Sequence, residues 1–156
     1  MKTSIVLLIL FFLIVPVVYL FILGKKSETG EAPGLIENQL SRCPGTPNCV
    51  CSEYSDDVDH YIEPVREPVR GLNGLTSDAI VKTLEQLGGQ VQTQTADYVS
   101  AIFVSELFGF VDDVELRIDH ENAVIHLRSA SRVGRSDLGA NLQRVEKIKQ
   151  SLQASD

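Results

Sequence analysis

Val111-Asp-Asp-Val-Glu-Leu-Arg-Ile-Asp-His-Glu-Asn-Ala-Val-Ile-His-Leu-Arg128 decides how this chain folds. Val114, Leu116 and Ile118 alternate with Glu115 and Arg117, the period-two pattern of a strand with one apolar face. Asp119-His-Glu-Asn122 is a turn, and the alternation resumes from Ala123, with Val124, His126 and Arg128 opposite Ile125 and Leu127. Upstream, Tyr98 to Val104 is rich in β-branched and aromatic residues, and Leu107-Phe-Gly-Phe110 is the bend leading into Val111. Connections this short predict an antiparallel β-meander. Gln90 to Thr95 offers a further short strand.

Helices flank the meander. Thr76 to Leu87 puts Ile80, Val81, Leu84 and Leu87 on one face, with Thr76 or Ser77 as N-cap, Asp78 in the first turn and Gly88-Gly89 as the stop. A last helix is expected from Ser136 or Asp137 to about Gln153, with Leu138, Leu142, Val145, Ile148 and Leu152 in period. Gly139 is its weak point, a place where another backbone could approach closely. The predicted fold class is α+β: an antiparallel β-meander packed by two helices, preceded by one N-terminal transmembrane helix.

That first helix is read from Ile5 to Leu23, an uncharged run of 19 residues. As a helix it spans about 28 Å, close to a bilayer's hydrocarbon thickness. Pro16 is tolerable there. Gly24-Lys25-Lys26 follows, with neither an Ala-x-Ala-like cleavage site nor a cysteine, so an uncleaved anchor is expected over a cleaved signal. Lys2 and the α-amino group nearly balance Lys25 and Lys26. A short N-terminal tail usually stays in the cytoplasm, which places the domain outside: a bacterial inner-membrane protein with a periplasmic domain is the expectation. The division predicted is an anchor over 1–26, a polar tether over 27–41 and a single α+β domain over 42–156. Residues 42–60 read as loop, and Tyr61 to Arg70, with Pro64 and Pro68, as extended connector.

Charge is unevenly spread. Residues 27–127 carry 5 basic and 18 acidic side chains, and residues 128–149 carry 6 basic and 2 acidic ones. The acidic body excludes nucleic acid as a partner of the domain as a whole. The basic segment is Arg128-Ser-Ala-Ser-Arg-Val-Gly-Arg-Ser-Asp-Leu-Gly-Ala-Asn141, a strand running into a helix. Guanidinium forks beside a helix N-terminus favour anions. The same parts can instead neutralise the acidic body internally.

Three pieces in order, Cys43-Pro-Gly-Thr-Pro-Asn-Cys-Val50, Phe108-Gly-Phe-Val-Asp-Asp-Val-Glu115 and Arg128 to Asn141, resemble the family known as domain of unknown function 1499. The resemblance covers roughly residues 42–152. It implies a domain boundary and a setting behind a membrane or export segment, not a reaction. The family pattern after Val50 is usually Ser-Ser, and here it is Cys51-Ser52, so the third cysteine is particular to this chain.

Candidate chemistry follows from these motifs. Cys43 and Cys49 can close a small disulfide loop, which requires an oxidising compartment and leaves Cys51 over. Free thiols are one alternative, and a metal site of Cys43, Cys49, Cys51 and His60 is another. Adjacent strand residues point to opposite faces, so Asp112 and Asp113 cannot easily form a catalytic pair. Ion pairs with Arg128, Arg132 or Arg135 are expected of them. Arg144, Lys147 and Lys149 read as a solvated helix face, and Phe103, Phe108 and Phe110 as core. The favoured function is a membrane-anchored, non-enzymatic domain that binds an anionic small ligand, a lipid headgroup or a protein partner through Arg128, Arg132, Arg135, Ser136, Asp137, Asn141, Asp112 and Asp113. The alternatives are a hydrolase using Asp112, Asp113 or Asp137 with arginine stabilisation, and a structural scaffold whose arginine–carboxylate network holds the fold. No cofactor and no metal is predicted.

Overall fold

A computed structural model describes residues 2–66 and 76–154. Residues 67–70 of the expected connector lie outside the described residues. Helix α1, Lys2–Ser27, runs through Pro16 and past the apolar run to Ser27. It is long and apolar enough to cross a membrane. The rest of the chain is an antiparallel sheet packed with helices, α+β as the alternation predicts.

Strands β1 (Leu35–Ile36) and β2 (Gln39–Leu40) form a two-residue hairpin, with Glu37 and Asn38 at φ 51° and 63°. Strand β3 is Cys49–Cys51, β4 Val65–Arg66, β5 Gln90–Gln94, β6 Tyr98–Val104, β7 Val111–Asp119 and β8 Val124–Ser131. These last six make one sheet in the order β3-β8-β7-β6-β5, and β4 also pairs with β8. The loop reading of residues 42–60 therefore needs correcting at Cys49–Cys51, whose backbone bonds extend the sheet along β8. The three-strand meander sits in its middle.

Helices α2 (Ser77–Gln86) and α3 (Ala140–Ala154) cover one face. Thr76 caps α2 by accepting the Ala79 N–H, and Gly88, at φ 88°, ends it. Ile80 and Leu84 meet Val99, Val114, Leu116, Ile125 and Leu127 of the sheet, and Val145, Ile148 and Leu152 of α3, in one core. The last helix starts later than expected. Leu138, at φ 54° and 92 % exposed, precedes it and belongs to no apolar face. Gly139 turns the chain at φ 81°, and a side chain there would meet only Gln143 Nε2, at an ordinary contact of 3.9 Å. Its role is therefore a left-handed entry into the helix rather than a close approach.

The opposite face is not open to water. Residues 28–48 and 52–54, all of them expected to be tether or loop, run across it as a strap on either side of β3. Leu40 is fully buried there and packs with Cys51, Tyr98, Leu35, Cys43 and Tyr54. Gly34 donates its N–H to the Glu115 carboxylate across the strap. A Cys43–Cys49 disulfide pins the strap to β3, and Cys51 stays reduced and buried.

The strap begins where α1 ends. The Ser27 hydroxyl donates to the Gly24 carbonyl and accepts the Val111 N–H at 2.9 Å. A side chain at Gly24 would collide with the Phe108 carbonyl. Phe21 meets Phe108 edge to face at 5.2 Å between centroids. Phe103 packs on the core as expected. Phe108 and Phe110 do not join it; Phe108 is turned toward α1.

Closing a loop across the five residues between Cys43 and Cys49 restricts the unfolded chain by roughly 2 kcal/mol. Cys43→Ser should therefore lower the unfolding free energy of the full chain in detergent by that amount, read as a lower urea midpoint. Reductant should produce the same shift in the native chain and none in the variant.

Candidate functional site

The central strand β7 is buried from Val111 to Ile118, charged residues included. Its alternation sends Asp112 to the helix face and Asp113, Glu115 and Arg117 to the strap face. On the helix face, Asp112 accepts from the Arg144 guanidinium at 2.7 Å. Arg144 also donates to Asn141 Oδ1 at 2.7 Å and to Ser129 Oγ at 3.1 Å, and its guanidinium stacks on Phe103. Asn141 Nδ2 donates to the Asn48 carbonyl and to Ser131 Oγ. Arg144 is thus no solvated residue; it ties α3 to β7 and β8.

On the strap face, Glu115 is fully buried and is the hub. It accepts from Arg128 Nη1 at 2.8 Å, from the Tyr98 hydroxyl at 2.8 Å and from the Gly34 N–H at 3.0 Å. Burial pushes its carboxyl upward, against the opposing pull of Arg128 and Tyr98. The Tyr98 hydroxyl is raised in turn, first by burial and then by Glu115. Arg132 grips Asp113 with both arms, at 2.7 and 2.9 Å, and donates to the Ser27 carbonyl. Arg117 grips Glu53 and reaches Asp119 at 3.3 Å. Burial alone would raise the Asp119 carboxyl, but hydrogen bonds from Asn122 and Arg117 hold it down to about 2.

The sequence candidates therefore divide. Asp113 pairs with Arg132 as expected, whereas Asp112 takes Arg144. Asp137 caps α3, its two carboxylate oxygens accepting the Gly139 and Asn141 N–H groups. Ser136 accepts only a long bond from Leu138 N, at 3.4 Å. Arg135 is exposed and has no hydrogen-bond or ion-pair partner among the described residues. Arg128 and Arg132 line one cleft of about 250 Å³ with Thr29, Gly30, Glu31 and Pro33. Arg128 Nε is buried and has no hydrogen-bond partner among the described residues. The three aspartates of the hydrolase reading lie at three separate places, each engaged.

Sequence reasoning missed Glu115, Tyr98, Glu53 and Arg144. It also missed a second cleft, of about 280 Å³, lined by Ser52, Glu53, Tyr61, Arg66, Asn122 and His126. Ser52, His126 and Glu53 suggest a nucleophile, base and orienting acid, but the geometry does not connect them so. Ser52 Oγ lies 3.2 Å and Glu53 Oε2 3.6 Å from the same ring nitrogen, His126 Nδ1. A proton relay needs them on opposite nitrogens. Ser52 Oγ also accepts the Leu127 N–H at 2.8 Å, so it serves the backbone.

Burial pushes the Cys51 thiol up to about 11, which leaves it protonated and a poor nucleophile. The metal reading loses its ligands: Cys43 and Cys49 bond each other, and His60 bonds Asp57 through Nδ1 and the Thr46 carbonyl through Nε2.

A family model described as "Protein of unknown function (DUF1499)" matches residues 39–152. No curated protein matches the chain.

The histidines should titrate apart. The hydrogen bond to Asp57 raises His60 above the ordinary 6.5, while burial lowers His126 below it. Proton NMR of the ring signals should show His60 titrating at the higher pH. The raised His60 contributes stability below pH 6.5 that is lost as pH rises through its folded pKa. The depressed His126 does the opposite, withdrawing stability as pH falls below 6.5.

Proposed function

From the premise that the chain belongs to that family, we propose that it is a single-pass membrane protein whose α+β domain is a non-catalytic scaffold. One observation carries this reading. Arg128, Arg132 and Arg144 are each occupied by a buried carboxylate of β7, namely Glu115, Asp113 and Asp112. Arginines committed in this way join sheet, strap and helix instead of waiting for a substrate.

The end of α1 supports the anchor over a cleaved signal. Gly24 and Ser27 are buried parts of the domain, and cleavage after Leu23 would cut beside the serine that satisfies Val111. The disulfide favours an oxidising compartment, hence the periplasmic side of a bacterial inner membrane. What such a scaffold presents outward is protein surface: the exposed Leu138, with Arg135 three residues before it, suits a protein partner better than a reaction.

A second reading keeps the anionic ligand. The cleft of Arg128 and Arg132 opens at the foot of α1, and the unpartnered Nε of Arg128 favours an acceptor there. Against it, Asp113, Glu115 and Glu31 already balance the two guanidiniums.

The scaffold reading makes Glu115→Ala cost about 3–5 kcal/mol, because Arg128 is left buried and unpaired. In a urea-denaturation cycle on the full chain in detergent, Glu115→Met with Arg128→Met should lose less than the summed single variants by about 2 kcal/mol. Additive losses would remove the basis of the scaffold. For the second reading, glycerophosphate and inorganic phosphate should raise the melting temperature saturably, and Arg132→Lys should weaken the shift. A flat response leaves the scaffold alone.

A further inference from the structure

We infer that the β6–β7 loop, Ser105-Glu-Leu-Phe-Gly-Phe110, is a second membrane contact that lies in the lipid interface beside the end of α1. The inference rests on the reading of α1 as a membrane span and goes beyond it by giving the domain its own bilayer-facing element.

Depth comes from the contacts with α1. Phe21, in the last apolar turn before Gly24-Lys25-Lys26, touches Phe108 of the loop. Phe108 also meets Phe110, with 6.1 Å between ring centroids. Gly24 lies against the Phe108 carbonyl so closely that no side chain fits. Where the apolar run gives way to lysines, a spanning helix leaves the hydrocarbon for the headgroups. A loop fixed at Phe21 and Gly24 is therefore held at that same level.

The exposed side chains suit that position. Leu107 is 69 % and Val104 47 % exposed, and Phe108 is only partly covered. They lie at the same end of the sheet as the anchor. The described residues leave most of Leu107 uncovered, whereas lipid would cover it.

The loop's backbone suits it too. Polar groups that enter a bilayer need partners within the protein. Ser105 N–H donates to the Phe110 carbonyl at 2.9 Å, Gly109 N–H to the Ser105 carbonyl at 3.0 Å and Phe110 N–H to Ser105 Oγ at 2.9 Å. Gly109, at φ 69°, permits this tight closure. Glu106 is exposed, and its carboxylate can reach headgroups and water from the interface.

The far end of the sheet gives the control. The strand β7 runs nine residues away from the loop to the β7–β8 turn, about 30 Å at the rise of a strand. Glu121 in that turn should stand clear of lipid.

The chain contains no tryptophan, so a single introduced one reports alone. Full-length Leu107→Trp, Leu13→Trp and Glu121→Trp would each be placed in phosphatidylcholine vesicles with and without brominated lipid. Glu106→Trp serves as a second reporter in the loop. The expected result is blue-shifted emission and loss of most fluorescence to bromine for Leu13→Trp and Leu107→Trp, with Glu121→Trp unaffected. If both loop reporters emit like Glu121→Trp while Leu13→Trp is quenched, the loop contact is overturned and the anchor stands. If Leu13→Trp is also unquenched, the anchor reading fails and takes this one with it.

Discussion

The constraint on which the rest depends is the burial of β7 on both faces while it carries four charges within the buried stretch, Val111 to Ile118. A strand covered on one side only can turn its polar residues to water. Here Asp112, Asp113, Glu115 and Arg117 have no water to turn to, and a charge removed from water without a partner costs several kcal/mol. Each is therefore met by an oppositely charged side chain from a different element: Arg144 from α3, Arg132 from just beyond β8, Arg128 from β8 and Glu53 from the strap. The pairs add little net stability over a well-packed apolar core. What they supply is uniqueness, because a one-residue slip of β7 against β8 would leave all four unpaired.

Much of the fold was legible because its signals are local. The period-two alternation of 111–128 marks two strands, and the Thr76 cap and Gly88 stop bound α2. Even the Glu115–Arg128 pair was within reach. With Asp119 opposite Val124, the antiparallel register sets Glu115 opposite Arg128 and Arg117 opposite His126. What the alternation does not show is that the second face is covered too, so Glu115 and Arg117 look like the polar side opposite the apolar one.

The covering segment itself was illegible for a physical reason. Residues 28–48 and 52–54 are short strands, turns and prolines without a period, and they gain their order from the sheet rather than from propensity. Leu40, Tyr54 and Glu53 each look incidental in the sequence and become fixed only by the surface that they cover. The Arg128–Asn141 motif shows the same limit. Its density of arginine, serine and aspartate signals polar wiring, yet composition does not say whether the wires end on a ligand or on the protein. Only the positions of Asp112, Asp113 and Glu115 show that three of its neighbouring carboxylates absorb Arg144, Arg132 and Arg128.

The bond from Ser27 to Val111 joins residues 84 positions apart. It belongs to the class of contacts that form late, since a long loop must close before it is gained. In a chain made from its N-terminus, α1 leaves the ribosome long before β7 exists. The residues that meet Val111 and Phe108, Ser27 and Phe21, are thus both made before their partners. Order of synthesis therefore makes the end of α1 available before the strand that it meets.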